Sequence, residues 1–263
     1  MTRGHMNMLS RRYFLSLGLT TLCSQFSFGS VVKKKLLILI EGAGDFQAVS
    51  KVLEKSLHLL PPNMELQRFN WSHGYLRIVA DQTDLSHISE NGEKLASSIR
   101  LIQKRNPDIE INIIAHSAGT SVALAATSLL NENSIERLIL LAPSVSKDYP
   151  IIPSIIAVKD GVHVFYSHED TFILGPILKF TKTADLRKCK NAAGRYGFTP
   201  ATRNREEELL VGTKLKQYAW KPEDAAIGNN GGHYGAYGQP YMDKRVIPLL
   251  FNTPQTSVTS IMP

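Results

Sequence analysis

A single serine, Ser117, stands between a run of strand-forming residues and a run of helix-forming residues. Residues 111–114 are largely apolar and rich in isoleucine, and residues 121–126 favour a helix. A chain that passes from strand to helix this abruptly makes a tight turn, which lifts the serine hydroxyl clear of the backbone. The positions two before and two after the serine must then be small, and they are Ala115 and Gly119. The pattern predicts that Ser117 is a nucleophile. The alternative is an ordinary serine in a strand–turn–helix connection.

Short apolar runs alternate with amphipathic segments along the rest of the chain. Strands are predicted at 36–40, 64–71, 111–114, 138–142, 162–166 and 215–220. Helices are predicted at 46–60 with Asp45 as the N-cap, at 88–102, directly after Ser117, and at 240–250. This alternation favours an α/β fold with a mostly parallel sheet and helices on both faces. Functional residues in such a sheet lie beyond the carboxyl ends of the strands.

The beginning of the chain has the composition of an export signal. Residues 10–15, Ser-Arg-Arg-Tyr-Phe-Leu, closely resemble the twin-arginine pattern. A short apolar stretch at 16–22 and a small-residue site at 27–29 follow. These features predict a protein that is exported to the periplasm or secreted. The alternative is a basic N-terminal helix on a cytosolic protein.

Cleavage after Gly29 would divide the chain into a signal, residues 1–29, and one domain, residues 30–263. A lipoprotein signal ending at Cys23 is disfavoured because Leu22 stands where a small residue is needed. Within the domain, residues 175–208 are rich in Gly, Lys and Arg and are predicted to be an insertion or a rim segment.

Charge and cysteine content point to no special partner. The predicted signal contains three arginines and no acidic residue, so its removal lowers the formal net charge from +7 to +4. A basic cluster has no regular aromatic residues between its members and is predicted to be a solvated loop, with no nucleic acid bound. Its members are Lys179, Lys182, Arg187, Lys188, Lys190 and Arg195. The apolar stretch near the N-terminus is too short for a stable membrane span. The single remaining cysteine, Cys189, predicts neither an internal disulfide nor a metal site.

A serine hydroxyl becomes a good nucleophile only when a base removes its proton. His233 is the preferred base because it follows both Ser117 and a later strand with an acid at its end, and because it lies in the glycine-rich loop 229–235. His73, which also follows a predicted strand, is the second candidate. His116 is adjacent to the serine and is predicted to point away from the tip of the turn.

The base needs a third group that holds its tautomer and stabilises the imidazolium as it forms. Asp170 lies just beyond the predicted strand 162–166 and is the preferred acid. Glu169, its neighbour, and Asp148, which follows the preceding strand, are the alternatives.

The negative charge that develops on the substrate oxygen needs two N–H donors. The amide of Ala118, directly after the nucleophile, is the first predicted donor. The second is the amide of Ala43 or of Gly44, in the glycine-rich turn after the first strand. This turn is not a dinucleotide-binding loop, because Gln47 stands where the third glycine would be needed.

Together these motifs resemble the α/β-hydrolase fold family over nearly all of residues 30–263. The matching stretches are 41–45, 115–119, 166–170 and 231–235. Residues 183–185 and 192–198 are similar to a stretch in uncharacterised bacterial α/β-hydrolase proteins. The chain departs from the family at Ala115, where the first glycine of the G-x-S-x-G motif is usual, as some bacterial lipases also do.

The resemblance implies a triad of Ser117, Asp170 and His233, in the chain order serine, acid, histidine. It also implies a sheet trimmed at its N-terminal strands. The expected function is hydrolysis of a carboxylic ester or related acyl bond of a small molecule through an acyl-enzyme, with no metal or organic cofactor. An exported binding or scaffold protein without turnover is the alternative from another class. Acyl transfer to an alcohol uses the same acyl-enzyme and stays open.

Overall fold

The computed structural model describes residues 33–170, 185 and 191–251. The strands are β1 (Lys35–Ile40), β2 (Met64–Arg68), β3 (Glu110–His116), β4 (Ile135–Leu141), β5 (Val158–Tyr166) and β6 (Leu215–Ala219). The helices are α1 (Ala48–Lys55), α2 (Ile78–Thr83), α3 (Leu85–Arg105), α4 (Gly119–Thr127), α5 (Ile152–Ala157), α6 (Ala193–Tyr196), α7 (Arg205–Lys214) and α8 (Gln239–Tyr241). The six strands form one sheet in the order β2-β1-β3-β4-β5-β6, and every neighbouring pair is parallel.

Helices cover both faces of this sheet, so the predicted α/β architecture is confirmed. Strand β1 illustrates why its sequence is an unbroken apolar run. Leu36, Ile38 and Ile40 face the hydrophobic cluster that contains residues of α3, α4 and α5. Leu37 and Leu39 face the opposite cluster, against α1 and the helical turns at 239–250. Because alternate side chains point to opposite faces and both faces are covered, every one of these positions must be apolar.

The parallel arrangement brings the carboxyl ends of β1, β3, β4 and β5 to one edge of the sheet. Ile40 of β1 is in register with Ala115 of β3. His116 of β3 is in register with Leu141 of β4, and Leu141 with Phe165 of β5. The loops that follow β1, β3 and β5 therefore all leave the sheet at this edge.

The predicted helix start at Asp45 is wrong. Helix α1 begins at Ala48, and its N-cap is Gln47 at φ 55°. Gly44 and Asp45 also have positive φ, 82° and 47°. These left-handed residues turn the chain before helical geometry can begin, and the Asp45 carboxylate instead lies 3.3 Å from Arg68 Nη1. The helix also ends early, at Lys55, and a 3-10 turn at Leu57–Leu59 follows.

The predicted closing helix at 240–250 is divided into three short pieces. After α8 come a π-helical turn, Met242–Val246, and a 3-10 turn, Ile247–Leu250. Pro248 has no N–H to donate within a continuous α-helix. The sequence pattern does not predict helices α2, α5, α6 and α7.

The predicted signal at 1–29, Cys189 and most of the basic cluster lie outside the described residues, so the export signal stays a prediction. The assignment of residues 175–208 to an insertion or rim segment also stays a prediction. The structure describes residue 185 and residues 191–208 of it, and the others lie outside the described part of the chain. Among the described helices, none has both the length and the apolar character that a membrane span requires.

Candidate active site

Ser117 occupies a strained position between β3 and α4. Its φ is +50°, in the left-handed region that non-glycine residues rarely adopt. Three backbone hydrogen bonds hold it there. The Ser117 amide donates to the carbonyl of Leu141, and the Ser117 carbonyl accepts from Thr120 and Ser144. Strain of this kind costs on the order of 1–3 kcal/mol and persists where the surroundings fix it.

The small residues around Ser117 are required by the approach of the loop after β1. A Cβ on Gly119 would lie 2.2 Å from the carbonyl oxygen of Glu41. A Cβ on Gly42 would lie 2.9 Å from His116 Nδ1 and 3.2 Å from the Cβ of Ser117. Because both glycines lack this atom, the loop after β1 can reach the nucleophile.

The structure brings Ser117, His233 and Asp170 into one hydrogen-bonded chain. Ser117 Oγ lies 2.8 Å from His233 Nε2. His233 Nδ1 lies 2.9 Å from Asp170 Oδ2. All three residues are buried, so the interactions act where water does not compete for them. This is the geometry in which a carboxylate orients an imidazole that accepts the serine proton.

The alternative base and acids lie elsewhere. His73 Nδ1 is 2.9 Å from Asp81 Oδ1, and its ring stacks on His87 at 3.7 Å between centroids. Glu169 and Asp148 are both exposed, whereas Asp170 is buried.

The loop that carries His233 is shaped by Asn229, a residue that no sequence motif singles out. Its side-chain oxygen accepts a hydrogen bond from the Gly231 amide at 2.9 Å. Its carbonyl accepts from Trp220 Nε1 at 2.8 Å. A Cβ on Gly235 would lie 2.1 Å from Asn229 Oδ1, so any other residue there would displace the Asn229 side chain. The glycines predict a loop at this point. The role of Asn229 is not predictable from them, because its carbonyl bonds to Trp220, which directly follows β6.

The two predicted second donors differ in the structure. The Gly44 amide donates to Asp81 Oδ2 at 2.8 Å. Ala43, one residue earlier, lines the cavity beside Ser117. Ala118 precedes the first turn of α4, where backbone amides have no partner within the helix.

A cavity of about 290 Å³ opens at Ser117. Its lining is mostly apolar and consists of Glu41, Gly42, Ala43, Phe46, Ala48, His116, Ser117, His233, Tyr234 and Tyr237. At the rim, the exposed ring of Tyr75 contacts Phe46 edge-on at 5.8 Å. An apolar group bound in this cavity would lie against the nucleophile.

His116 lines this cavity, contrary to the expectation that it points away. Its ring lies 5.1 Å from the ring of His233 and 4.8 Å from that of Tyr237. Burial and then the neighbouring His233 lower the pKa of His116 from 6.5 to about 3. The same burial raises the pKa of the Tyr234 and Tyr237 hydroxyls. The imidazole of His116 and the hydroxyls of Tyr234 and Tyr237 are therefore neutral at pH 7.

This neutral histidine predicts a pH-dependent contribution to stability. Between its folded pKa of about 3 and its unfolded value of 6.5, the unfolded chain binds a proton that the folded chain does not. The contribution of neutral His116 to the free energy of unfolding is thus fully present above pH 6.5 and decreases as the pH falls. From pH 7 to pH 5 we expect the wild type to lose about 2 kcal/mol more unfolding free energy than His116→Gln. Urea unfolding at the two pH values measures this, and equal losses would contradict it.

Within the part of the chain that the structure describes, no group of three or more His, Cys, Asp or Glu side chains is arranged to hold a metal ion.

One family model matches part of the chain. Residues 68–174 match the model of a family described as an alpha/beta hydrolase of unknown function (DUF900). This stretch includes Ser117 and Asp170 and ends before His233. None of the curated proteins compared matches the chain.

Solved structures with similar folds are distant in sequence. An esterase from Pyrococcus furiosus is 12% identical, with 83% of each chain covered and a TM-score of 0.48. A cutinase-like protein from Cryptococcus sp. is 11% identical, with 82% of this chain and 90% of that chain covered and a TM-score of 0.42. A cold-adapted esterase from an Arctic intertidal metagenomic library is 11% identical, covering 81% and 83% of the two chains, with a TM-score of 0.45.

Proposed function

We propose that this chain, which has the α/β-hydrolase fold, is a serine hydrolase that cleaves carboxylic esters or related acyl bonds through an acyl-enzyme. The observation that carries the proposal is the hydrogen-bonded chain from Ser117 through His233 to Asp170. The match of residues 68–174 to an α/β hydrolase family supports a hydrolase as the general class. The apolar lining of the cavity supports a small-molecule substrate with an apolar acyl group.

In the proposed reaction, Ser117 Oγ attacks the acyl carbon while its proton passes to His233 Nε2. Asp170 holds the imidazole through Nδ1 and stabilises its positive charge. The tetrahedral intermediate collapses, and His233 returns the proton to the departing alkoxide. A water molecule, activated by His233, then attacks the acyl-enzyme, which releases the acid and regenerates Ser117.

The amides of Ala118 and Ala43 are the proposed donors to the negative oxygen of the intermediate. Ala43 is preferred over Gly44 because the Gly44 amide already donates to Asp81. A single strong donor of this kind contributes roughly 3–4 kcal/mol to the lowering of the barrier.

A binding protein without turnover is the weaker proposal. A separation beyond about 5 Å between Ser117 Oγ and both His233 nitrogens would have favoured it, whereas the Oγ–Nε2 distance is 2.8 Å. Acyl transfer shares the covalent intermediate with hydrolysis and differs only in whether an alcohol or water attacks it.

Reaction with a fluorophosphonate probe tests the proposal. We expect the purified, folded protein to form one covalent adduct, located at Ser117 by tandem mass spectrometry, because only an activated serine reacts quickly. A series of p-nitrophenyl esters of increasing acyl length then measures turnover, and an added alcohol reports transfer through the ester product. Folded protein that forms no adduct, or forms it at another serine, would contradict the proposal.

A further inference from the structure

Asp81 is a buried carboxylate outside the serine–histidine–aspartate chain. It lies on α2, and none of its surface is exposed. Oδ2 accepts from the Gly44 amide at 2.8 Å and from Ser72 Oγ at 2.6 Å. Oδ1 accepts from the His73 amide at 2.7 Å and lies 2.9 Å from His73 Nδ1. Burial of a charge is costly unless it is hydrogen-bonded in this way.

Through these bonds, Asp81 fixes the loop that follows β1. Gly44 is held at both of its polar groups, since its amide donates to Asp81 and its carbonyl accepts from the Leu76 amide at 3.0 Å. A Cβ on Gly44 would lie 2.8 Å from Cγ1 of Ile78, so the loop packs directly on α2. Ala43, the proposed oxyanion donor, is the residue before this anchored peptide.

The next residue of α2, Gln82, is linked to the turn that carries Ser117. Gln82 Nε2 donates to Ser144 Oγ at 2.7 Å. The Ser144 amide in turn donates to the carbonyl of Ser117 at 3.2 Å. Of these two consecutive residues of one short helix, Asp81 therefore bonds directly to the loop that carries Ala43. Gln82 is linked through Ser144 to the turn that carries Ser117 and Ala118.

We propose that Asp81 is a positioning residue that sets the Ala43 amide at a fixed distance from the Ala118 amide. The proposal rests on the proposed hydrolase function. Hydrogen bonds from N–H groups to a carboxylate are stronger than those to a neutral acceptor. Oxyanion donors must lie within a narrow range of the developing charge. A loop released from Asp81 would lower the rate of the chemical step more than it would weaken substrate binding.

Asp81→Asn tests this role. Asparagine keeps the shape of the side chain and one acceptor oxygen, but its NH₂ group only donates. The single oxygen cannot replace both carboxylate oxygens, so the Gly44 amide and the His73 amide can no longer both be accepted. We expect kcat per fluorophosphonate-titrated active site to fall roughly 10–100-fold while KM changes less than about threefold. Asp84→Asn is the matched control. Asp84 Oδ2 lies 3.3 Å from His73 Nε2, and asparagine can still cap the His87 amide, so kcat should stay within about twofold.

Gly44→Ala displaces the same loop without changing Asp81. The φ of +82° and the contacts with Ile78 and Phe46 leave no room for the methyl group, so the same kcat-specific loss is expected. Hydrogen exchange of a peptide spanning 42–47 gives a readout independent of activity. It should quicken by about tenfold in Asp81→Asn and stay unchanged in Asp84→Asn.

A merely structural Asp81 would reduce the yield of titratable protein and leave kcat per active site unchanged. If kcat per titrated active site stays within about twofold of wild type in both Asp81→Asn and Gly44→Ala, the proposal is overturned. If the wild type neither labels nor turns over, the hydrolase function fails instead. The exchange of residues 42–47 then decides by itself whether Asp81 holds the loop.

Discussion

Ser117→Ala is expected to lower kcat for a p-nitrophenyl ester by roughly 10⁴–10⁶-fold and to abolish fluorophosphonate labelling. The variant lacks the oxygen that lies 2.8 Å from His233 Nε2, so no acyl-enzyme can form. Alanine is smaller than serine and adopts the positive φ of this position at a similar cost. We therefore expect the variant to fold. Initial rates, corrected for uncatalysed hydrolysis, and intact mass after labelling measure the two effects.

Ser121→Ala is the matched control for this substitution. Ser121 is a buried serine of α4 whose Oγ donates to the carbonyl of Ala118 at 2.6 Å. The Ser121→Ala variant should react fully with the fluorophosphonate and keep kcat within a few-fold of wild type, because the substitution removes only a local hydrogen bond. Turnover retained in Ser117→Ala but lost in Ser121→Ala would exclude Ser117 as the nucleophile.

The sheet was predictable because its signal is local. Each strand that is covered on both faces needs a continuous apolar run, and β1 and β4 contain such runs. Parallel strands separated by helices then leave few possible topologies. The same reasoning placed Ser117, Asp170 and the His233 loop beyond strand ends, where the structure brings them together.

Other features depend on contacts between distant residues and could not be predicted. Asp45 has the residue type of a helix N-cap, yet three left-handed residues between 44 and 47 delay the helix. The choice between Ala43 and Gly44 depends on Asp81, which is 37 residues away from Gly44 along the chain. Helix α2 carries Asp81 and has only six residues, too few for a periodic pattern to be recognised.

Asp170→Asn is expected to reduce kcat by roughly 10³–10⁴-fold at pH 7 with little change in KM. Asparagine can present an N–H to His233 Nδ1, which places the imidazole proton on Nε2, the nitrogen that faces Ser117 Oγ. A protonated Nε2 cannot accept the serine proton, although every heavy atom of the relay stays near its place. Steady-state kinetics with a p-nitrophenyl ester, together with urea unfolding, separate this chemical defect from a loss of folded protein.

Glu169→Gln and Asp148→Asn complete the comparison, because each makes the same change of acid to amide at an alternative position. Both carboxylates are exposed, so each variant should keep kcat within about twofold of wild type. A loss of the Asp170→Asn size at either position would transfer the orienting role to that residue. Full activity in Asp170→Asn would mean that His233 works without a carboxylate at Nδ1, and the contact between them at 2.9 Å would then serve the fold alone.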